Sequence, residues 1–442
     1  MYSLTKPTMF VPLAVVLFAG PLGPVMSAPP SDWATVPTAT VKLFYPGQSS
    51  YQWLRSPDHN PAYQATVQGI SCVSCHAGQE LEKGTMLVTG EKLDPHPIEG
   101  KQPVIDLNVQ AAYDSENAYF RFQWQTRNSF PGVAHPHWRF DGTGWKQIGW
   151  PRLHKKVWDE GQPAIYEDRL SMMVDDGSVP MFAEQGCWLS CHTAMRDMPD
   201  VAKGADVKAH PLLGEGLKKK DVRKYLPSSR SDDNASWDQT KTADEIAAIK
   251  ASGGFVDLMQ WRGHRSRPVG MADDGYVLEY RLTDAGKNLF SKNWDKEKNQ
   301  PKYMFDAQKV GFKSRTMDQI RDTEQPSSII AEENAVAFDP NAGWQEGDMI
   351  PEYYVSRTMA KESAADNSDV KGTWDNGTWT VVWVRKLDTG HPADDKIFKE
   401  GNAYTFGFAV HDDNITTRGH HVSFPMTVGF GATADIEAVK TN

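Results

Sequence analysis

Alternation of apolar and polar residues with a period of two is the dominant pattern along this chain, and it predicts β-strands. The pattern is clearest in "VIDLNVQAAYD" (104–114) and "AYFRFQWQT" (118–126), which the turn-forming "DSEN" joins into a predicted hairpin. Further strands are predicted at 41–47, 164–176, 275–283, 377–387, 403–412 and 421–431. The expected fold is therefore mainly β, a large β-sandwich with long loops and a few short helices.

A loop-and-helix region is predicted near 68–83, around the first cysteine pair, and another helix in the polar, lysine-rich stretch 208–254. Within it, "TADEIAAIKAS" predicts a helix with Thr242 as the N-cap and the following "GG" as the stop. Two further stretches, 288–306 and 359–377, predict loops with short helices at most. The helices are therefore expected to lie in the connections around the sheet and not to form the core.

The first 28 residues have the features of an export signal. Lys6 is the only charge before Asp32, the apolar run "MFVPLAVVLFAG" follows, and small residues stand at "VMSA". A signal peptide spanning 1–28 and cleaved near Ser27 or Ala28 is predicted, with an uncleaved anchor as the alternative. No later apolar run reaches membrane-spanning length, so residues 29–442 are expected to form an exported protein without a membrane span.

Composition narrows the possible partners and cofactors. Of 442 residues, 39% are hydrophobic and 24% charged, as in soluble globular proteins. The formal net charge of −10 argues against nucleic acid as a partner, because phosphates would repel the protein. The 15 tryptophans suit an aromatic β core, and they also suit the walls of a pocket for a flat macrocycle.

The four cysteines form two close pairs, each followed directly by a histidine. The first, "CVSCH", places Cys72 and Cys75 before His76 with the spacing that attaches haem c. Two thiols bond the haem vinyl groups while the adjacent imidazole binds the iron. A thioredoxin-like redox pair and half a zinc site are the alternatives, but no second pair at zinc-site spacing lies nearby. The sequence predicts a covalent haem at Cys72, Cys75 and His76.

The second pair, in "CWLSCH", has one residue more than the usual spacing. Three residues separate Cys187 from Cys191, and His192 follows. A Cys187–Cys191 disulfide is the alternative, yet a bulged loop can still present two thiols to one macrocycle. A second covalent haem is predicted here, with His192 on the iron, so the expected cofactors are two haem c groups.

Each iron of an electron-transfer cytochrome needs a second axial ligand, usually His or Met. His59 is favoured for the first haem because the turn formers around it could fold it back. His264 in "MQWRGHRSRP" is favoured for the second. Weaker candidates are Met195, Met198, His420 and His421, with the "AHPHWRF" pair His135 and His137 as a further option.

Several stretches together resemble the ethylbenzene dehydrogenase-related haem-binding domain, the haem subunit of ethylbenzene and dimethyl sulfide dehydrogenases. They are "FYPGQSSYQWLRSPDH", "CVSCH", "VDLMQWRGHRSRPVGMADDG", "VVWVRKLDTG" and "FAVHDDNITTRGHHVSF". The resemblance implies a β-sandwich that holds haem between its sheets and an electron-transfer role. In that family the single haem is b-type and held by Met and Lys, and the lysine region falls near "QWRGHRS". His264 replacing that lysine is a hypothesis, and covalent attachment places the chain in a cytochrome c branch.

The function expected from these features is that of a periplasmic dihaem c-type cytochrome. It would carry electrons between a quinol or cytochrome pool and a redox enzyme, with redox proteins as partners, and no catalytic constellation is evident. One alternative is a haem enzyme, such as a dihaem peroxidase, with His135, His137 or His420 as the acid–base group. Another is a haem subunit docked on a molybdenum oxidoreductase.

Overall fold

A computed structural model describes residues 28–89, 98–128, 130–196, 198, 200–322, 325–361, 363 and 368–441. The predicted signal peptide 1–28 lies outside the described residues except for its last residue. The described strands are β1 Ala39–Phe44, β2 Val104–Tyr113, β3 Asn117–Gln125, β4 His137–Phe140, β5 Trp145–Ile148, β6 Arg169–Asp175, β7 Val256–Arg262, β8 Gly275–Val277, β9 Arg281–Thr283, β10 Phe290–Lys292, β11 Tyr303–Phe305, β12 Ile329–Ile330, β13 Ala335–Ala337, β14 Met349–Pro351, β15 Tyr353–Val355, β16 Ser368–Asp375, β17 Thr378–Lys386, β18 Asn402–His411, β19 His421–Val422, β20 Met426–Phe430 and β21 Ile436–Lys440.

The described helices are short and lie between the strands. The α-helices are α1 Tyr51–Leu54, α2 Tyr63–Val67, α3 Cys72–His76, α4 Glu80–Val88, α5 Lys155–Trp158, α6 Phe182–Gln185, α7 Gly204–Ala209, α8 Ala243–Ala251, α9 Ala307–Val310 and α10 Arg357–Lys361. Single 3₁₀ turns and one π-helical turn, Pro211–Gly216, add to them. No helix in the described part of the chain is both long enough and apolar enough to cross a membrane.

One 13-stranded sheet forms the body of the molecule, in the order β16-β17-β3-β2-β1-β19-β18-β6-β7-β8-β9. A second connection runs through β20, which pairs with β18, and β21, which pairs with β2. The sheet therefore has two halves, called leaves, one around β3 and one around β6. Because two separate sets of strands connect the leaves, the sheet forms a barrel-like core. The mainly β prediction is confirmed.

The space between the leaves is filled with aromatic and aliphatic side chains. Phe120 on β3 packs on Phe406 of β18, with ring centres 5.9 Å apart, and Phe122 packs on Phe408 at 6.0 Å. All four rings are fully buried. Truncating such a ring to alanine costs about 3–5 kcal/mol, so this layer fixes how the leaves pack.

Most predicted elements are confirmed, and the departures have local causes. The hairpin β2–β3 and the helix α8 form as expected, and α8 has a full capping box between Thr242 and Glu245. The single strand predicted at 275–283 is instead the tight hairpin β8–β9, and the one at 421–431 is divided into β19 and β20 around Pro425. Only 169–175 of the stretch 164–176 is a strand.

The prediction of a loop at 359–377 is wrong, because β16 pairs with β17 along its whole length. Its residues alternate, but most of them are polar, and Val370 is the one fully buried side chain among them. An edge strand of this kind carries little hydrophobic signal. The expectation that 29–442 is one domain stays a prediction.

Candidate haem sites

The helix α3 presents the first cysteine pair and its histidine to one cavity. Cys72, Cys75 and His76 all line this cavity, and His59 lines it from the turn after α1. One helical turn brings positions four apart to the same face, which is why this spacing works on a helix. Burial raises the pKa of Cys72 to about 11. The structure thus brings together the four residues that the sequence assigned to the first haem.

His59 and His76 face each other with ring centres 6.2 Å apart. Metal–imidazole bonds are about 2.0–2.1 Å long, so two imidazoles on opposite sides of one metal have ring centres about 6 Å apart. The Nδ1 atom of His59 lies 2.9 Å from the Leu54 carbonyl oxygen, and that of His76 lies 3.2 Å from Gln79 Oε1. Such partners on Nδ1 leave Nε2 for a metal. The pair fits an iron between them.

The walls of the first cavity are apolar. They include Phe44, Trp53, Leu54, Ile70, Met86, Leu87, Trp188 and Phe424. Burial lowers the pKa of His59, which keeps its ring neutral and able to bind a metal. Flat apolar walls with two opposed imidazoles suit a haem.

The second cavity lies on the outer face of the β18–β6–β7 leaf. Along β18, Phe406, Phe408 and Val410 point into the core, so Gly407, Ala409 and His411 point the other way and line the cavity. Their partners on β6 are Met173, Ser171 and Arg169, which line it too. Two small residues followed by a histidine therefore form the floor.

Cys187 and Cys191 form part of the opposite wall. They stand at the start and just after the end of the 3₁₀ turn Gly186–Ser190, and Gly186 has φ +52° with Pro425 close by. A Cβ added to Gly407 would lie 2.6 Å from Cys187 Sγ, so only glycine fits there. All four cysteines of the chain are described, and no disulfide joins any two of them. The extra residue of "CWLSCH" still leaves both thiols on the cavity.

Six cationic side chains and, among the described residues, no carboxylate line the second cavity. They are Arg169, Arg196, Arg223, Lys224, Arg281 and Arg418. Arg196 and Arg223 share the single carboxylate of Asp221. Lys224 Nζ lies 3.2 Å from Cys191 Sγ. A cavity with this charge fits an anionic ligand such as a macrocycle with two carboxylate arms.

His192 lies beside the second cavity and does not line it. Its ring is fully buried, stacked on Tyr225 at 3.7 Å and 5.0 Å from the Tyr51 ring. Neither ring nitrogen has a hydrogen-bond partner, and burial holds the pKa of His192 well below its usual value. Buried polar atoms are nearly always paired, so an orphaned imidazole fits an iron ligand.

The weaker candidates for the second iron ligand lie at different places in the structure. Met195 and His420 line the second cavity, whereas Met198 packs in the apolar layer beside it. His421 Nε2 lies 2.7 Å from the Gln102 carbonyl oxygen, outside the cavity lining.

His264, which the sequence favoured for the second iron, is not brought to either cavity. Its ring centre lies 5.9 Å from that of His135 and 6.0 Å from that of His137. Its Nδ1 lies 2.9 Å from the Val133 carbonyl oxygen. The three histidines form a separate buried cluster.

His411 is a residue that sequence reasoning did not single out. It is 6% exposed, stacks on His420 with ring centres 4.5 Å apart, and its Nδ1 has no hydrogen-bond partner. Burial, with the positive charges nearby, holds its pKa well below the usual value. The signal was the alternation in "FGFAVH", which places a histidine on the face with two small residues.

The two cavities share a wall. Ser49 lines both, and Trp188, next to Cys187 in the chain, lines the first. Trp188 Nε1 donates a hydrogen bond of 3.0 Å to Ser49 Oγ, and its ring stacks on Phe44 at 5.3 Å. Trp188 therefore connects the chain next to Cys187 with the lining of the first cavity.

The haem position implied by the resemblance needs a correction. The space between the leaves is filled by the aromatic core, and both cysteine-lined cavities lie outside it. The covering segments around Ser49, Cys72 and Cys187 build the sites, and the leaf supplies a floor to the second one.

The sequence is similar to one known protein family and to individual proteins with known names. The sequence profile described as ethylbenzene dehydrogenase matches residues 30–423. The chain belongs to the ethylbenzene dehydrogenase family. As a member of that family it is also similar to two proteins named as cytochromes.

Cytochrome c-552 of Stutzerimonas stutzeri is 27% identical over 416 residues, covering 94% of this chain and 92% of that protein. Cytochrome c-551 of Rhodocyclus tenuis is 27% identical over 184 residues, covering 40% of this chain and 62% of that protein. The first of these similarities runs through both cavities of this ethylbenzene dehydrogenase family member.

Proposed function

We propose that this chain is an exported, periplasmic dihaem cytochrome c that passes electrons from one haem to the other and on to a redox partner. Family membership and the similarity to cytochromes c support a haem-binding electron-transfer protein. The observation that carries the dihaem proposal is the shared wall between two cysteine-lined cavities. When bound, each haem iron supplies one-electron redox chemistry.

At the first site, Cys72 and Cys75 would hold the macrocycle covalently, and His76 and His59 would bind the iron from opposite sides. Support comes from the 6.2 Å ring separation and from the Nδ1 partners that orient both rings. Two strong ligands leave no open position for substrate, which suits electron transfer.

At the second site, Cys187 and Cys191 would form the attachment, with His192 as the motif ligand. For the opposite side of the iron, His411 is the candidate that the strand geometry favours, ahead of Met195 and His420. The cationic lining would pair with the carboxylate arms of the macrocycle. Residues of both leaf and covering segments would thus exclude water from the iron.

Trp188 would couple the two sites, since it lines the first cavity, follows Cys187 in the chain and donates a hydrogen bond to Ser49, which lines both cavities. The test is the rate of electron equilibration between the haems after rapid partial reduction, measured in the wild type and in Trp188→Leu. The proposal expects slower equilibration in Trp188→Leu with both haems retained. Trp188→Phe is the matched control, because it keeps an aromatic ring and loses only the hydrogen bond to Ser49.

Unchanged equilibration in Trp188→Leu would contradict the coupling. A native high-spin haem that binds peroxide would instead favour the enzyme alternative. The electron-transfer proposal requires that both haems are low-spin in the resting protein.

A further inference from the structure

Five aspartates from separate parts of the chain meet near the end of β7. Asp257 is on β7, Asp274 immediately precedes β8, Asp284 immediately follows β9, and Asp394 and Asp395 belong to the loop after β17. Asp257, Asp274 and Asp395 each offer one oxygen within 4.8 Å of the others. Asp284, Asp394 and Asp395 do the same, so Asp395 is common to both groups.

These carboxylates are buried, and not all of their oxygens have a partner. Asp257 is fully buried and Asp284 is 7% exposed. Oδ1 of Asp257 has no hydrogen-bond partner, and the partner of Asp284 is another carboxyl group, that of Asp395. Asp274 and Asp284 also line a small cavity together with Thr283 and Ser363. Buried carboxylates this close to one another, one of them with an unsatisfied oxygen, point to a missing cation.

Arg385 contacts Asp257, and Lys287 lines the small cavity beside Asp274 and Asp284, so these two cations are too few to balance five carboxylates. Arg385 donates to Asp257 Oδ2 at 3.0 Å, and the backbone N–H of Lys396 donates to the same oxygen. The Lys396 ammonium is directed elsewhere, 2.6 Å from Asp176 Oδ1 and 3.4 Å from Asp175 Oδ1. Protons or a metal ion must therefore compensate the charge.

We propose that this cluster is a calcium site that ties the β8–β9 hairpin to the loop after β17. Oxygen-only ligands favour a hard cation, and Ca²⁺–oxygen bonds of about 2.3–2.6 Å place opposite ligands about 4.6–5.2 Å apart. The oxygens within each group lie within 4.8 Å of one another, which is close enough for them to share one such ion. Mg²⁺ is smaller, requires a near-ideal octahedron and keeps its waters, which a buried carboxylate cluster does not provide.

The test uses the full haem-loaded protein. Metal content and the melting temperature are measured after gel filtration, after dialysis against EGTA, and after CaCl₂ or MgCl₂ is added back. Calcium should co-purify, chelation should lower Tm by several degrees, and Ca²⁺ but not Mg²⁺ should restore it, because a ligand that binds only the folded state stabilises it. Asp284→Asn should lose the calcium and the calcium-dependent part of Tm.

Asp388→Asn is the matched control, because Asp388 lies exposed in the same loop and should keep full calcium dependence. Asp394→Asn serves as a second variant if Asp284→Asn does not fold. If the carboxyls are simply protonated, chelation leaves Tm unchanged and Asp284→Asn melts at or above the wild-type temperature. That outcome, or equal restoration by Mg²⁺, would overturn the proposal.

Discussion

At the scale of single residues, His59 is the proposed haem ligand whose surroundings are best defined. It approaches the first cavity opposite His76, and the Leu54 carbonyl orients its ring. His59→Ala should convert the first haem from six-coordinate low-spin to high-spin while the covalent attachment persists, because the cysteines are untouched. Absorption and electron paramagnetic resonance spectra measure this change, and the exposed His391→Ala is the control. A fully low-spin His59→Ala protein would remove His59 from the iron.

The proposal that His411 binds the second iron has a test of its own. Since the strand pairing places His411 on the cavity floor between Arg169 and the covering segments, His411→Ala should make the second haem high-spin and leave the first unchanged. The same spectra recorded on Met195→Leu distinguish the two candidates. A high-spin haem in Met195→Leu with a low-spin His411→Ala would assign the ligand to methionine.

Asp168 is a buried carboxyl whose ionisation couples stability to pH. Its Oδ2 accepts hydrogen bonds of 2.9 Å from the Gly132 N–H and from Trp379 Nε1, and burial raises its pKa to about 7. The folded-state pKa exceeds the unfolded value, so the stability that this group contributes is complete below about pH 4 and is lost as the pH rises through about 7.

Asp168→Asn removes that titration and keeps an oxygen for both donors. The free energy of unfolding of the wild type, from denaturant titrations, should therefore fall more steeply between about pH 4 and pH 7 than that of Asp168→Asn. Asp106→Asn, in an exposed ion pair with Lys42, should parallel the wild type. Parallel curves for Asp168→Asn would show that Asp168 does not titrate in this range.

At the scale of elements, β18 packs closely against the 3₁₀ turn Gly186–Ser190 at Gly407, which has no side chain. In Gly407→Ala the added methyl group would lie only 2.6 Å from Cys187 Sγ, which is too close for both atoms to keep their positions. We therefore expect loss or disorder of the second haem only. The haem-to-protein ratio measures it. Gly144→Ala, where an added Cβ meets nothing within 4 Å, should keep the wild-type ratio. A wild-type ratio in Gly407→Ala would show that the turn can move.

The same elements show what the sequence could and could not predict. Cysteine–histidine motifs are local, and the hairpin β2–β3 has both alternation and a turn, so these were predictable. The role of His411 depends on the pairing of β18 with β6, and the aspartate cluster depends on segments far apart in the chain. The strand β16 was not predicted because its exposed face is polar. Nothing in a single sequence fixes such long-range pairings.

At the scale of the whole molecule, exposed apolar side chains are concentrated in the segments around the first cysteine pair, and they are called the apolar patch. It consists of Val67, Ile70, Val73, Leu81 and Met86, which are 37–60% exposed. Exposed apolar patches mark interaction sites, and this one lies where a partner could approach a haem edge. The acidic net charge of −10 would attract a basic partner over longer distances.

Leu81→Asp should therefore slow electron exchange with a basic soluble cytochrome c and leave reduction by dithionite unchanged, because a small reductant needs no docking surface. Val201→Asp, at an exposed apolar residue outside the patch, is the control. Stopped-flow absorbance follows both reactions. Equal rates for the two variants would place the docking surface elsewhere.

The most direct test of the account is the number of covalent haems on the exported chain. The measurement is the intact mass of the denatured protein, combined with its pyridine haemochrome spectrum. The account predicts two haems in the wild type, and one in each of the double variants Cys72→Ala/Cys75→Ala and Cys187→Ala/Cys191→Ala. A wild-type mass with one haem or none would contradict the dihaem account.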